Sequence, residues 1–231
     1  MSDSSVCIVL AGGFGTRLRS VVAELPKALA PIDGQPFLRR QLESLAARGV
    51  DRFVLSLGHL AEQVQEAVAQ WSLADRISCV VEPEPLGTGG AIAFAMQQSG
   101  LSEALVANGD TFLGGDLQAM LELLNETAVR MSVVTVPDRA RFGGVSVDVE
   151  GYVDRFLEKG AQGPGPINAG FYRVSAAALQ GQATVFSFET AVLPKLAAER
   201  RLRAALIDGD FIDIGVPEDY HRYCRDHARL R

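Results

Sequence analysis

Short apolar runs alternate along the chain with segments whose apolar positions recur every three or four residues. Val6–Leu10 reads as a buried strand, and Phe53–Leu57, Ile77–Val81, Ala104–Ala107 and Met131–Val136 as further strands. Between them, Phe37, Leu38, Gln41, Leu42 and Leu45 set a helical stripe within Pro36–Arg48, and Leu60–Gln70 and Gly89–Gln98 read as further helices. Asp116 stands where it would cap a helix running to Glu126. This β-α-β-α rhythm predicts an α/β, Rossmann-like architecture: a mainly parallel sheet with helices on both faces.

The rhythm changes after Pro137. Gly144–Val149 and Tyr152–Glu158 flank Glu150-Gly151, the pattern of a β-hairpin. Ala161–Pro166 is rich in Gly and Pro and reads as a loop before a strand at Ala169–Arg173. Ser187 is placed to cap a helix through Thr190–Arg200, with Pro194 as a kink or late boundary. Ala204–Ile207 and Phe211–Ile214 flank the turn Asp208-Gly209-Asp210. A last helix opens at Pro217, with Glu218 and Asp219 in its first turn. No linker, repeat or low-complexity segment interrupts the pattern, so residues 1–231 read as one domain.

Composition narrows the class. The 231 residues are 48% hydrophobic, enough for one large α/β core. A net charge of −6 argues against general binding to nucleic acid or anionic membrane. Cys7, Cys79 and Cys224 form no CxxC pair; Cys7 and Cys79 fall in strand-like runs and are expected as buried thiols. Met1–Ser5 lacks the basic and apolar regions of a leader, and no apolar run has the length of a membrane span. The expected location is cytoplasmic.

Candidate chemistry concentrates after the first strand. Residues 10–18 read Leu-Ala-Gly-Gly-Phe-Gly-Thr-Arg-Leu, and Pro26-Lys27 follows. Glycines let backbone N–H groups approach an anion, and Arg17 and Lys27 add positive charge beside the turn. That combination describes a polyphosphate site. It is not a P-loop, because Thr16-Arg17 stands where Lys-Ser/Thr is required. Nor is it a dinucleotide fingerprint, because Leu18 takes the place of a third small residue. In parallel sheets ligands bind beyond the carboxyl ends of strands, which directs attention to Glu82–Ala91 and to Asn108-Gly109-Asp110. Asp110 and Asp213 each follow an apolar run, and two such carboxylates suit Mg²⁺, which completes its shell with substrate phosphates.

These pieces together resemble the sugar-phosphate nucleotidyltransferases, which make NDP-sugars from NTPs and sugar 1-phosphates. The resemblance rests on Leu10–Leu18, Pro26-Lys27, Pro85–Ala91, Gly109-Asp110, Phe142–Val145, Glu158-Lys159, Asn168–Gly170 and Asp213–Gly215 with Pro217-Glu218, in family order over nearly the whole chain. More narrowly, Arg19–Val22 and Ala30–Leu38 are similar to the D-glycero-D-manno-heptose 1-phosphate guanylyltransferases. The hexapeptide-repeat domain of some longer members is not expected within these 231 residues. The resemblance implies the nucleotide-diphospho-sugar transferase fold, with a nucleotide-binding half to about residue 136 and a sugar-phosphate-binding half from about 137. It implies transfer of GMP from GTP to the heptose 1-phosphate, for capsule, lipopolysaccharide or other surface glycan. It also implies Mg²⁺ as cofactor and a homodimer. Arg17, Lys27 and Asp110 would be catalytic, and Asp110 and Asp213 would hold the metal. Leu10, Ala11, Gly12, Gly13, Gly15, Thr16, Gly87 and Thr88 would bind the nucleotide. Gly143, Gly144, Glu158 and Asn168 would contact the sugar, and Lys159 its 1-phosphate.

Guanine presents two donors on one edge, and a carboxylate accepts both; Glu82 or Glu84 is the candidate reader. The attacking phosphate needs no general base, so His59 and His221 are expected at the surface or at caps, without a role. The rival substrate pairs are mannose 1-phosphate with GTP, or another sugar 1-phosphate such as muramate 1-phosphate with UTP. A rival of another class is a non-catalytic nucleotide-sugar sensor, which has no need of two metal carboxylates. A dinucleotide oxidoreductase is disfavoured by Leu18.

Overall fold

In the computed structural model, residues 5–15, 18, 21–22, 25–125 and 128–228 are described. The chain runs through β1 (Val6–Leu10), the short β2 (Pro31–Ile32) and β3 (Gln35–Pro36), and α1 (Phe37–Ala47). It continues through β4 (Arg52–Leu57), α2 (Ala61–Val68), β5 (Ile77–Val81), α3 (Gly87–Ser99) and β6 (Glu103–Asn108). Then come β7 (Thr111–Leu113), α4 (Gln118–Leu121), β8 (Val129–Val136), β9 (Gly144–Val147), β10 (Val153–Leu157) and β11 (Gly165–Ser175). α5 (Leu193–Ala198), β12 (Leu202–Leu206), β13 (Phe211–Asp213) and α6 (Pro217–Ala228) close it.

Seven strands form one sheet in the order β12-β8-β11-β6-β1-β4-β5. All neighbours are parallel except β11, which runs antiparallel between β8 and β6. In β1, Cys7 and Val9 enter one core and Ile8 the other, and all three are fully buried. That explains a strand written as an unbroken apolar run. A third core joins Leu18, Ile32, Phe37, Ile214, Tyr220 and Tyr223, and so packs α6 against the small β2–β3 pair. Among the described residues no helix is long and apolar enough to cross a membrane.

The hairpin forms as expected, with β9 and β10 antiparallel. Three expectations change. The helix after Asp116 is a single turn, although Asp116 Oδ1 does accept from the Gln118 N–H at 2.9 Å. The carbonyls that a longer helix would use are taken by guanidinium groups: Arg130 binds those of Ala119 and Glu122, and Arg173 those of Met120 and Leu121. Glu103 also takes the Leu124 N–H at 3.0 Å. Glu126, the expected end, lies outside the described residues. Secondly, Gly165 and Pro166 belong to β11 and not to a loop. β6 pairs with β11 only from Phe171 onward, so the strand is an edge at Pro166 and tolerates a residue without an N–H. Thirdly, the segment after Ser187 starts with a π-turn, Phe188–Val192, and α5 begins only at Leu193, with Pro194 in its first turn. Ser187 Oγ accepts the Thr190 N–H at 3.2 Å, as a cap should.

Candidate active site

The parallel register brings the loops after β1, β4, β5 and β6 to one edge, where they enclose a cleft of about 610 Å³. Leu10 to Gly15 form its floor, Glu82 to Thr88 one wall, and Asn108 to Asp110 with Lys27 the other. Gly15 has φ +58°, and a Cβ there would stand 2.9 Å from Lys27 Cβ. The glycine is thus what lets the Lys27 side chain lie against the loop and point into the cleft. Thr16 and Arg17 lie outside the described residues.

At one end of the cleft the charged groups converge. Lys27 Nζ is 2.5 Å from Asp110 Oδ2, and Thr111 Oγ1 donates to Asp110 Oδ1 at 3.3 Å. β7 pairs antiparallel with β13 and sets Thr111 opposite Asp213, so carboxylates from two distant stretches become neighbours. The Ile214 N–H donates to the Asp110 carbonyl at 2.9 Å, and the Gly215 N–H to Asp213 Oδ1 at 2.6 Å. Burial first, and the Asp110 charge second, push the Asp213 carboxyl above its usual range; the Gly215 N–H, Lys27 and Arg141 pull the other way. A buried carboxylate raised by a second carboxylate is a place where an added cation is favoured. Among the described residues no group of three or more His, Cys, Asp or Glu side chains is placed to hold a metal ion. Two neighbouring carboxylates are a donor set that fits a hard ion whose shell phosphate and water oxygens complete.

At the other end, Glu82 is held by the protein itself. Its Oε1 accepts from Ser56 Oγ at 3.0 Å and its Oε2 from the Leu86 N–H at 3.2 Å. Glu84 is exposed on the rim. Thr88 Oγ1 donates to Glu189 Oε2 at 2.5 Å and accepts the Phe188 N–H at 2.9 Å. The N–H groups of Gly89 and Gly90 go to the Phe186 carbonyl, at 3.0 and 3.4 Å. The segment around Phe186 thus closes over the start of α3 and takes two of its donors.

The sugar-side candidates gather more loosely. Asn168 sits at an irregularity in the β11–β8 pairing; its Nδ2 donates to the Tyr172 hydroxyl at 2.7 Å and its Oδ1 accepts the Gly170 N–H at 2.9 Å. Gly170 backs onto Asn108, a residue of the cleft wall. Gly143 and Gly144 pack on Leu157 at the base of the hairpin, with Lys159 beside Gly143. Glu158 and Lys159 are exposed, and none of these hairpin residues lines the 610 Å³ cleft.

Several residues of the site escaped the sequence reading. His59, expected without a role, lines the cleft with Phe14, ring centroids 5.2 Å apart. Glu189 reaches Thr88 from the other half of the chain, and Arg141 pairs with the buried Asp219. Only Gln41 left a trace: a polar residue inside the apolar stripe of α1.

The nucleotidyl transferase family matches residues 6–229. The chain belongs to that family. It is 38% identical over 221 residues to the D-glycero-alpha-D-manno-heptose 1-phosphate guanylyltransferase of Campylobacter jejuni, spanning 94% of this chain and 97% of that one. The enzyme of the same name from Aneurinibacillus thermoaerophilus is 36% identical over 219 residues, spanning 93% and 95%. The crystal structure of HddC from Yersinia pseudotuberculosis, also solved complexed with GMP-PN, superposes with a TM-score of 0.86 at 37% identity, covering 96% of this chain and 99% of that one. The architecture of this nucleotidyltransferase is the nucleotide-diphospho-sugar transferase fold.

Proposed function

We propose that this nucleotidyltransferase moves GMP from GTP to D-glycero-α-D-manno-heptose 1-phosphate, releasing pyrophosphate. The observation that carries the chemistry is the meeting of Lys27, Asp110 and Asp213 at one end of a glycine-floored cleft. The specificity is supported by relatives that the chain matches almost end to end. The sugar phosphate is already an anionic nucleophile at neutral pH, so the work is to bring two polyanions together and to offset shifting charge. Asp110 and Asp213 would hold a divalent ion, Mg²⁺ in this reading, which supplies positive charge to the phosphates. Lys27 binds oxygens at the α-phosphorus and stabilises the charge that passes to the leaving pyrophosphate. Gly15, Thr16 and Arg17 hold the triphosphate, and Leu10 to Gly13, Gly87 and Thr88 the base and ribose. Gly143, Gly144, Glu158 and Asn168 orient the sugar, while Lys159 holds its phosphate. Glu82 reads guanine: Ser56 and Leu86 fix the carboxylate in place, and each oxygen keeps a second lone pair for the base.

Pyrophosphate release across a panel of NTPs and sugar 1-phosphates tests the assignment. GTP with the heptose 1-phosphate should give the highest kcat/KM. Preference for mannose 1-phosphate or for UTP would overturn the specificity, and no release with any pair would favour a sensor.

A further inference from the structure

We propose that Gln41 is a positioning residue that holds Asp110 at its working place. This rests on the reading of Asp110 as the carboxylate that meets metal and phosphate. Gln41 lies on the buried face of α1 and is 4% exposed. Its Nε2 donates to the Asn108 carbonyl at 2.8 Å and to the Thr111 carbonyl at 2.6 Å. An amide nitrogen has two hydrogens, and both are spent, one on each side of Gly109-Asp110. The side chain is a clip across the base of the turn that presents the Asp110 carboxylate.

Its other end makes no such sense structurally. Gln41 Oε1 is buried without a hydrogen-bond partner. An orphaned buried acceptor is costly, and an apolar residue would serve a plain helix–sheet contact better. Keeping the amide there has a return only through its N–H groups, and both act on this turn. Other ties among the described residues come from the turn itself and from β1, Lys27 and the segment after β13: Thr111 and Lys27 on the carboxylate, the Ile214 N–H on the Asp110 carbonyl, and the Gly109 N–H on Leu10 at 3.0 Å. Gln41 is the tie that reaches it from α1, and it sets the height of the Asp110 backbone above the helix.

The test uses two variants of the full chain. Gln41→Met keeps the length and removes both donors. Gln41→Glu keeps the shape and retains one donor when protonated. Three readings are taken: amide hydrogen exchange at residues 109–111, binding of Mn²⁺ as a probe ion by electron paramagnetic resonance, and kcat against KM for GTP. Both variants should speed exchange at 109–111, and each should weaken Mn²⁺ binding and kcat by about tenfold or more while KM for GTP stays nearly constant. Gln41→Met should be the worse of the two; if it fails to fold, Gln41→Glu carries the test alone. Wild-type exchange at 109–111 together with unchanged Mn²⁺ binding would overturn the proposal, as would a loss of activity that only tracks the folded fraction. The exchange arm stays informative even if wild-type enzyme turns over no substrate pair, so a failure of the functional reading is seen separately.

Discussion

Lys27 and Asp110 hold one another at 2.5 Å at one end of the cleft, and each is partly shielded from water. Asp213 stands close by: the Asp110 charge raises its carboxyl and Lys27 works against that rise, so one cation serves two carboxylates and leaves room for a second. Lys27→Ala should lower kcat by about 10²-fold or more, because it removes a cation aimed at developing charge. Pyrophosphate release at saturating GTP measures it, and turnover within a few-fold of wild type would remove Lys27 from the chemistry. Asp110→Ala should likewise abolish metal-dependent turnover. For the base, Glu82→Gln leaves one acceptor oxygen, for the Leu86 N–H, and replaces the other by an NH2 that cannot accept from guanine, so GTP-over-UTP preference should fall about tenfold. Glu84→Gln, on the exposed rim, should leave that preference alone. Both residues were legible in the chain as acids ahead of a glycine turn. Which one the protein braces was not, because Ser56 comes from β4 and the Leu86 N–H turns onto Glu82 only once the loop has its folded shape.

At the scale of elements, the start of α3 is the place where two halves of the chain depend on each other. Gly89 is there because a Cβ would lie 2.1 Å from the Phe186 ring. Gly89→Ala should therefore cost about 1–3 kcal/mol of stability, as other overpacked sites do. Chemical denaturation reads this, and adding Phe186→Leu should restore part of the loss; strict additivity would show that the two do not touch. Ser187→Ala removes a cap from the π-turn and should cost about 1 kcal/mol. The sequence reading puts Gly87 and Thr88 at the nucleotide and starts the helix at Gly89. In the structure Phe186 has taken the donors of Gly89 and Gly90, so the glycines there answer to packing. Strand spans were readable to within a residue or two wherever the apolar run was unbroken, as at β1 and β5. The short α4 was not, since the arginines that end it come from β8 and β11.

Over the whole molecule, the β9–β10 hairpin docks on the sheet through Val145 and Val153, both buried in the second core, and through polar ties at its turn. Arg200, at the end of α5, pairs with Asp148 and Glu150 and lies over Tyr152, whose backbone bridges to Arg203 of β12. The Tyr152 N–H above all, and then Arg200, hold the Asp148 carboxyl below its usual range. A carboxyl with a folded pKa below its unfolded value contributes stability above that unfolded value, near 3.9, and loses it as pH falls through the folded one. The Tm of wild type should thus drop faster below about pH 4 than that of Asp148→Asn, and parallel curves would exclude the tie. The sequence by itself determined the strand–helix alternation, the parallel sheet edge where the loops meet, and a glycine turn flanked by cations that suits a polyphosphate. Those follow from local periodicity and from glycine and charge spacing, which any short window of the chain contains. Tertiary structure alone decided that Asp213 comes beside Asp110, that Glu82 and not Glu84 is braced, that His59 joins the cleft, and that Gln41 clips the turn beneath Asp110. Each of these is a pairing between groups far apart in the chain. Its energy depends on burial and distance, and neither exists until the sheet has closed.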